Sequence, residues 1–317
     1  MLENSLWIEK YRPRRFEDIK GQEHIVARLK AFVETKNIPH LLFGGPAGVG
    51  KTTLALAAAM ELYGEDYRKN ILNLNASDQR GIDVIRGEIK DFAKTISMNN
   101  IHKMIILDEA DSLTKDAQHA LRRTMEIYSN TTRFCLIANY PSKIIDPIKS
   151  RCAVFYFKPL EKRHIEGIIN EIASKENLKV DNESVDLLYK VSEGDARKVQ
   201  NIMQSCAAIS KVISKSTISQ VVSIATPKEI REILNLAINK NFIKARQLLL
   251  ETMIKQGLSG IDVVKELQGE IINMEIDDEI KAKMIERCGE AEFRLVEGSD
   301  DYMQIEALLA GFVLIKK

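Results

Sequence analysis

The stretch that most constrains this chain is GPAGVGKT, Gly45–Thr52, which fits G-x-x-x-x-G-K-[ST] without a gap. The apolar run LLFG (41–44) precedes it and a helical pattern over 51–63 follows it. Glycines let the backbone turn tightly, so that successive N–H groups face one point, and the helix N-terminus adds partial positive charge there. A strand, a turn and a helix joined in this way form a cradle for phosphate. Lys51 is expected to reach the β- and γ-phosphates of ATP, and the Thr52 hydroxyl to hold Mg²⁺. Gly45, Pro46, Ala47, Gly48, Val49, Gly50 and Thr53 complete the predicted nucleotide contacts. The alternative is a glycine-rich turn that matches by accident, which the flanking strand and helix patterns argue against.

A phosphate cradle of this kind needs a sheet behind it. Residues 1–160 alternate short apolar runs with helical patterns: strands at 41–44, 71–75, 103–107, 133–138 and 153–157, and helices near 22–35, 51–63, 82–94 and 116–128. That alternation predicts an α/β domain, a parallel sheet with helices on both faces. After Pro159 the strand signals fade. Residues 161–176, 183–191 and 195–210 read as short helices, and helical patterns resume beyond Thr226 and Pro227. Leu234, Ala237, Ile238, Phe242, Ala245 and Leu249 recur at helical spacing, and glycines 257, 260 and 269 read as breaks between helices. The organisation expected is 1–160 nucleotide-binding, 161–225 a small helical domain and 226–317 an all-helical domain.

Bulk composition narrows the class. With 317 residues, 45% hydrophobic and 29% charged, the chain has the make-up of an ordinary globular protein of more than one domain. A formal net charge of +1 means that any nucleic-acid surface depends on local clustering. Cys135, Cys152, Cys206 and Cys288 form no C-x-x-C pair, which argues against a zinc site or a disulfide framework and fits a reducing, intracellular setting. The charged N-terminal residues Glu3, Glu9 and Lys10 predict no signal peptide, and the longest apolar stretch, 307–315, is too short to cross a bilayer.

MIILDEAD (104–111) is an apolar strand ending in Asp108 and Glu109. An acidic pair at the C-terminal end of a strand suits metal chemistry in the crevice of an open α/β sheet. Asp108 is expected to help position Mg²⁺ and Glu109 to polarise the attacking water. A solvated acidic turn is the alternative, and D-E-A-D by itself also resembles a helicase box.

The neighbouring stretches choose between families. WIEKYRP (7–13), LNASDQRGIDVIR (74–86), LDEADSLTKDAQHALRRTME (107–126), SRC (150–152) and GDAR (194–197) together strongly resemble the small subunit of replication factor C, the AAA+ clamp loader of archaea and eukaryotes. A chain this short is most similar to the archaeal form. The motifs run from Trp7 to Arg197; beyond them the resemblance rests on length and helical character.

The resemblance implies an AAA+ domain, a helical lid and a helical collar that joins subunits. It places Tyr11, Arg12 and Pro13 against the adenine; packing of an N-terminal arm is the alternative for Tyr11 and reads equally well for Trp7. Asn139 matches the first sensor, with a turn before Pro141 as the alternative. Arg197 matches the second sensor; a cation in the first turn of a helix is disfavoured by the helix dipole unless an anion faces it. Arg151 of S-R-C matches an arginine finger that projects into the ATP site of a neighbouring subunit, the alternative being a surface ion pair.

Implied DNA contacts are Arg80, Arg86, Lys90 and Lys115, which would track the duplex backbone without reading bases; a solvated face of mixed charge explains them equally well. The implied partners are other copies of the chain, a larger replication factor C subunit in a pentamer, a trimeric sliding clamp touched around 88–102, and primer–template DNA. A DNA-stimulated ATPase active in an oligomer is therefore expected, at work inside the cell and away from membranes. A translocating motor and a non-hydrolysing scaffold are the competing readings. The motor would need aromatic pore loops or a basic C-terminus, and neither stands out in the sequence.

Overall fold

The computed structural model describes residues 6–77, 83, 85–95, 101–222 and 227–315. Two compact units divide the chain, one ending at Ile218 and the other beginning at Ser219.

In the first unit five parallel strands form one sheet: β1 His40–Gly44, β2 Ile71–Asn75, β3 Lys103–Asp108, β4 Thr132–Ala138 and β5 Cys152–Tyr156, in the order β2-β3-β4-β1-β5. All five expected strands are present, each within a residue of its predicted bounds. Successive side chains point to opposite faces of a strand, and both faces here are apolar. Leu41, Phe43, Met104, Ile106, Cys135, Ile137 and Phe155 share one core with α1 (Glu23–Glu34) and α2 (Lys51–Tyr63). On the other face, Leu42, Ile105, Leu107, Phe134, Leu136 and Ala138 pack with Ile85, Ile89 and the buried side of α3 (Lys115–Ile127). Because β1 is hydrogen-bonded on both sides, to β4 and to β5, the phosphate-loop motif begins at the buried centre of the sheet.

Helix α2 explains how that loop is held. Leu54, Ala55, Ala57, Ala58, Ala59 and Leu62 are all buried, so nearly every side of the helix is apolar and small enough to lie between the sheet and α1. Helix α3 is amphipathic by contrast. Thr114 caps it by accepting from Ala117 N at 3.2 Å, and Ala117, Leu121 and Met125 face the core.

Beyond the sheet come α4 (Lys162–Glu176), α5 (Asn182–Ser192) and α6 (Ala196–Ile209), close to the expected bounds. Asp181 caps α5 and Asp195 caps α6. Two two-residue strands, β6 (Lys179–Val180) and β7 (Val212–Ile213), pair in parallel beside them. Their shortness leaves no period for a sequence reading to detect.

The second unit contains α7 (Pro227–Ile238), α8 (Phe242–Gln256), α9 (Gly260–Asn273), α10 (Asp278–Val296) and α11 (Asp301–Val313) around one core that includes Ile233, Leu249, Leu267, Met284 and Leu309. The apolar spacing from 234 to 249 covers two helices, with Lys240 between them at φ 61. Gly257 ends α8 and Gly260 opens α9, as breaks should. Gly269 is different: it sits inside α9. No atom lies within 4 Å of where its Cβ would stand, and a surface-facing glycine costs a helix only about 1 kcal/mol against alanine. Among the described residues, no helix is long and apolar enough to cross a membrane.

Candidate active site

The C-terminal ends of β1, β3 and β4 open on a cleft of about 520 Å³. Phosphate-loop residues Ala47–Thr53 line it, with Asp108 and Glu109 from the end of β3, Asn139 from the end of β4, Arg197 from α6, and Tyr11, Arg12 and Pro13 from the N-terminal arm. These residues are far apart in the chain, and the fold brings them to one place.

Lys51 is the centre of the arrangement and is only 6% exposed. Its Nζ donates to Gly45 O at 2.7 Å, Pro46 O at 2.5 Å and Asn139 Oδ1 at 2.9 Å. Burial pushes its ammonium down to about 8; Asp108 and Asp111 pull the other way, and Arg197 lowers it further. A cation with its charge desolvated and its hydrogens gathered at the loop is suited to an anionic ligand. Thr52 Oγ1 donates to Asp108 Oδ2 at 2.6 Å. A hydroxyl and a carboxylate in contact supply the hard oxygens that Mg²⁺ takes when phosphate and water complete its shell, so the residues fit that ion.

Glu109 occupies the left-handed backbone region at φ 52, at a cost of about 1–2 kcal/mol for a residue with a side chain. Its N–H donates to Asp108 Oδ1 at 2.9 Å and its carbonyl accepts from Ser112 N at 2.8 Å. These bonds hold the strained backbone in place at the cleft wall.

Sequence reasoning missed two supports. Asp111 accepts from Asn139 N at 3.3 Å and from Tyr140 N at 3.0 Å, so the last acid of D-E-A-D holds the backbone that carries Asn139. The signal lay in the motif itself, three residues past Asp108. Gln22 is fully buried, and its Nε2 donates to Lys158 O at 2.8 Å and to Val49 O at 3.5 Å; nothing in its sequence neighbourhood marks it.

The helices after the sheet meet the phosphate loop through GDAR. Ala196 N donates to Gly48 O at 3.0 Å, and Asp195 Oδ1 accepts from Lys198 N at 2.9 Å to cap α6. This puts Arg197 in the first turn of α6 at the cleft wall. Gly48 has φ +68, and a Cβ there would lie 1.7 Å from Asp195 Oδ1. Gly194, at φ +83, would likewise press a Cβ to 2.7 Å from the Leu160 backbone.

At the arm, the Tyr11 hydroxyl donates to Glu176, which also takes Lys10 Nζ at 2.6 Å. Lys175 lies over the same ring, 5.4 Å from its centroid. Trp7 is buried and its backbone N–H donates to Gln204 Oε1 at 3.0 Å, so it packs the arm against α6 and is absent from the cleft lining.

Arg151 is not in the cleft. It directly precedes β5, whose first residue, Cys152, pairs with His40 at the start of β1, while the phosphate loop leaves the far end of β1 beyond Gly44. Four residue steps of strand are ~13 Å, so Arg151 lies at the N-terminal end of the strands, opposite the end that opens on its own chain's cleft. Lys90 and Lys115 are exposed first residues of helices, Lys90–Lys94 and α3. Arg80 lies outside the described residues, as do the side chain of Arg86 and part of the 88–102 segment.

Comparison with known proteins assigns the sequence to a family. Residues 41–160 match the model of the ATPase family associated with various cellular activities (AAA), and residues 225–311 match the Replication factor C C-terminal domain. The Staphylothermus marinus protein named Replication factor C small subunit is 51% identical over 98% of this chain and 95% of its own length. The chain belongs to the replication factor C small-subunit family. Relatives of the same name from Sulfolobus acidocaldarius and Archaeoglobus fulgidus are each 49% identical, over 99% and 96% of this chain and 97% and 96% of their own. This replication factor C chain carries an AAA ATPase domain and is a nucleotide-binding protein. In fold it is similar to the Thermotoga maritima RuvB Holliday junction branch migration motor, with TM-score 0.57 and 20% identity over 72% of this chain and 79% of that one.

Proposed function

We propose that this chain is the ATPase small subunit of a clamp loader, which uses ATP to open a ring-shaped sliding clamp and close it around primer–template DNA during replication. One observation supports the mechanism: the residues assigned here to catalysis lie in two separate places. Lys51, Thr52, Asp108, Glu109, Asn139 and Arg197 surround one cleft, whereas Arg151 stands at the opposite, N-terminal end of the strands. In a ring or spiral of like subunits that end faces a neighbour's cleft, and a head-to-tail contact of this kind repeats around the assembly.

Within the cleft, the phosphate-loop N–H groups and Lys51 bind the phosphates, and Tyr11, Arg12 and Pro13 wall the base. Thr52 and Asp108 would hold Mg²⁺, which neutralises charge on the phosphate oxygens when bound. Glu109 polarises the attacking water and Asn139 orients it, its backbone fixed by Asp111. Arg197 carries the state of the site to the helical lid. Arg151, supplied in trans, stabilises the charge that develops on the transferred phosphoryl group.

The wider reading has the chain divided at 160 and 225 into AAA+ domain, lid and collar. It works inside the cell, in a pentamer of its own copies with a larger related subunit, on a trimeric clamp. Arg80, Arg86, Lys90 and Lys115 would follow the DNA backbone without regard to sequence, so binding should weaken steeply with salt. Motor activity is supported only by likeness of fold to RuvB, which carries no function at 20% identity. The test is clamp retention on primed circular DNA by the reconstituted loader. ATP-dependent retention is expected, and ATP-driven strand separation without clamp retention would overturn the assignment.

A further inference from the structure

Arg151 does not hang free at its end of the strands. Its Nη1 donates to Pro147 O at 2.6 Å and lies 3.4 Å from Ser150 Oγ, and its Nη2 pairs with Glu126 Oε1. Glu126 belongs to the last turn of α3 and is itself fixed by Arg122, four residues back on that helix, whose Nε donates to the same oxygen at 3.0 Å. The carboxyl of Glu126 is held below its ordinary value, first by Arg122 and then by Arg151. The two side chains are 37% and 35% exposed, and an ion pair with that much solvent adds little to stability.

The contacts do something else. They take a long, rotamer-rich side chain and fix its guanidinium from two sides, a carbonyl on the short helix Asp146–Lys149 just before it and a carboxylate on α3. A guanidinium has five N–H donors, so hydrogens on Nε and Nη2 remain for an anion arriving from outside the chain.

We propose that Glu126 is the positioning residue for Arg151: it holds the guanidinium in the rotamer in which an adjoining subunit's phosphates receive it. This rests on the reading of Arg151 as acting in trans. Glu126 touches no nucleotide; its effect passes through Arg151 alone. The effect is read in the rate and not in stability: a guanidinium left out of register in the transition state is expected to cost about tenfold in kcat.

The experiment is steady-state ATPase of the reconstituted loader with clamp and primed DNA, for wild type, Arg151→Ala, Glu126→Gln and the double variant, with ATP affinity and thermal unfolding of each. Arg151→Ala is expected to lower kcat by about 10³-fold or more. Glu126→Gln is expected to lower kcat about tenfold or more with KM, ATP affinity and unfolding unchanged, and the double variant to match Arg151→Ala alone. Glu126→Asp keeps the charge on a shorter arm; it should fall between wild type and Glu126→Gln, and it replaces Gln should that variant not assemble. Wild-type kcat in Glu126→Gln beside a crippled Arg151→Ala overturns the inference, as does a loss that multiplies in the double variant. Normal hydrolysis by Arg151→Ala overturns the in-trans reading first, and is told apart because it needs no Glu126 variant.

Discussion

Gly48→Ala is the change whose cost can be worked out most completely. The residue sits at φ +68, and the added Cβ would stand 1.7 Å from Asp195 Oδ1. The left-handed conformation costs alanine about 1–2 kcal/mol. The overlap is with the end of a flexible side chain, so it is relieved by turning the Asp195 carboxylate away. That movement breaks its bond to Lys198 N, the cap of α6, a further ~1 kcal/mol. Gly48→Ala should therefore destabilise the first unit by about 2–3 kcal/mol in the native background but only about 1–2 kcal/mol in an Asp195→Ala background. The cycle isolates the contact between phosphate loop and lid. Trp7, the one tryptophan of the chain, is buried in that unit, so its fluorescence during denaturant unfolding is the assay. Equal costs in the two backgrounds would refute the argument that loop and lid are coupled through this contact.

Two further outcomes follow from buried polar groups. His40 accepts from Phe134 N at 3.1 Å, and burial pushes its imidazole down to about 4 from 6.5. The unfolded chain then binds more protons between those values, so stability falls as pH drops from 6.5 to 4, by about 3 kcal/mol in all; denaturation against pH should show that slope reduced in His40→Gln, and an unchanged slope would contradict it. Gln118 is buried, donating to Leu113 O and Lys143 O and accepting from Ile145 N at 3.2, 3.1 and 2.9 Å. Gln118→Ala strands Lys143 O and Ile145 N in the loop beyond Asn139 and Leu113 O just before α3, and a loss of about 2–4 kcal/mol is expected in thermal unfolding, against less than 1 kcal/mol if water replaces the amide.

The site was legible where chemistry is encoded locally. Phosphate cradle, acidic pair and GDAR are short segments whose glycines, capping residues and apolar flanks act on their own neighbours, so Lys51, Asp108 and Arg197 could be placed from order alone. The strands were legible for a related reason: a sheet buried on both faces needs continuous apolar runs, and β1, β3 and β4 have them. Residues that act across the fold were not. Asp111 matters because β4 ends beside it, Gln22 because Lys158 passes over it, and Glu126 because α3 ends near Arg151; none of these distances is written in a local pattern. Gly269 failed for the converse reason. A glycine signals a break only where the backbone needs one, and in α9 it does not.

The central claim is that each ATP site takes its last charge from the next subunit, and subunit mixing tests it most directly. On the proposed roles, Glu109→Gln subunits keep Arg151 but cannot activate water, while Arg151→Ala subunits keep an intact cleft but offer no guanidinium. Each variant alone should leave the loader nearly inactive. Mixed in equal amounts, they should restore about a quarter of the wild-type ATPase of the positions they fill, because that share of head-to-tail interfaces pairs an intact cleft with an intact arginine. Full hydrolysis by Arg151→Ala subunits alone, or no recovery on mixing, would contradict the account.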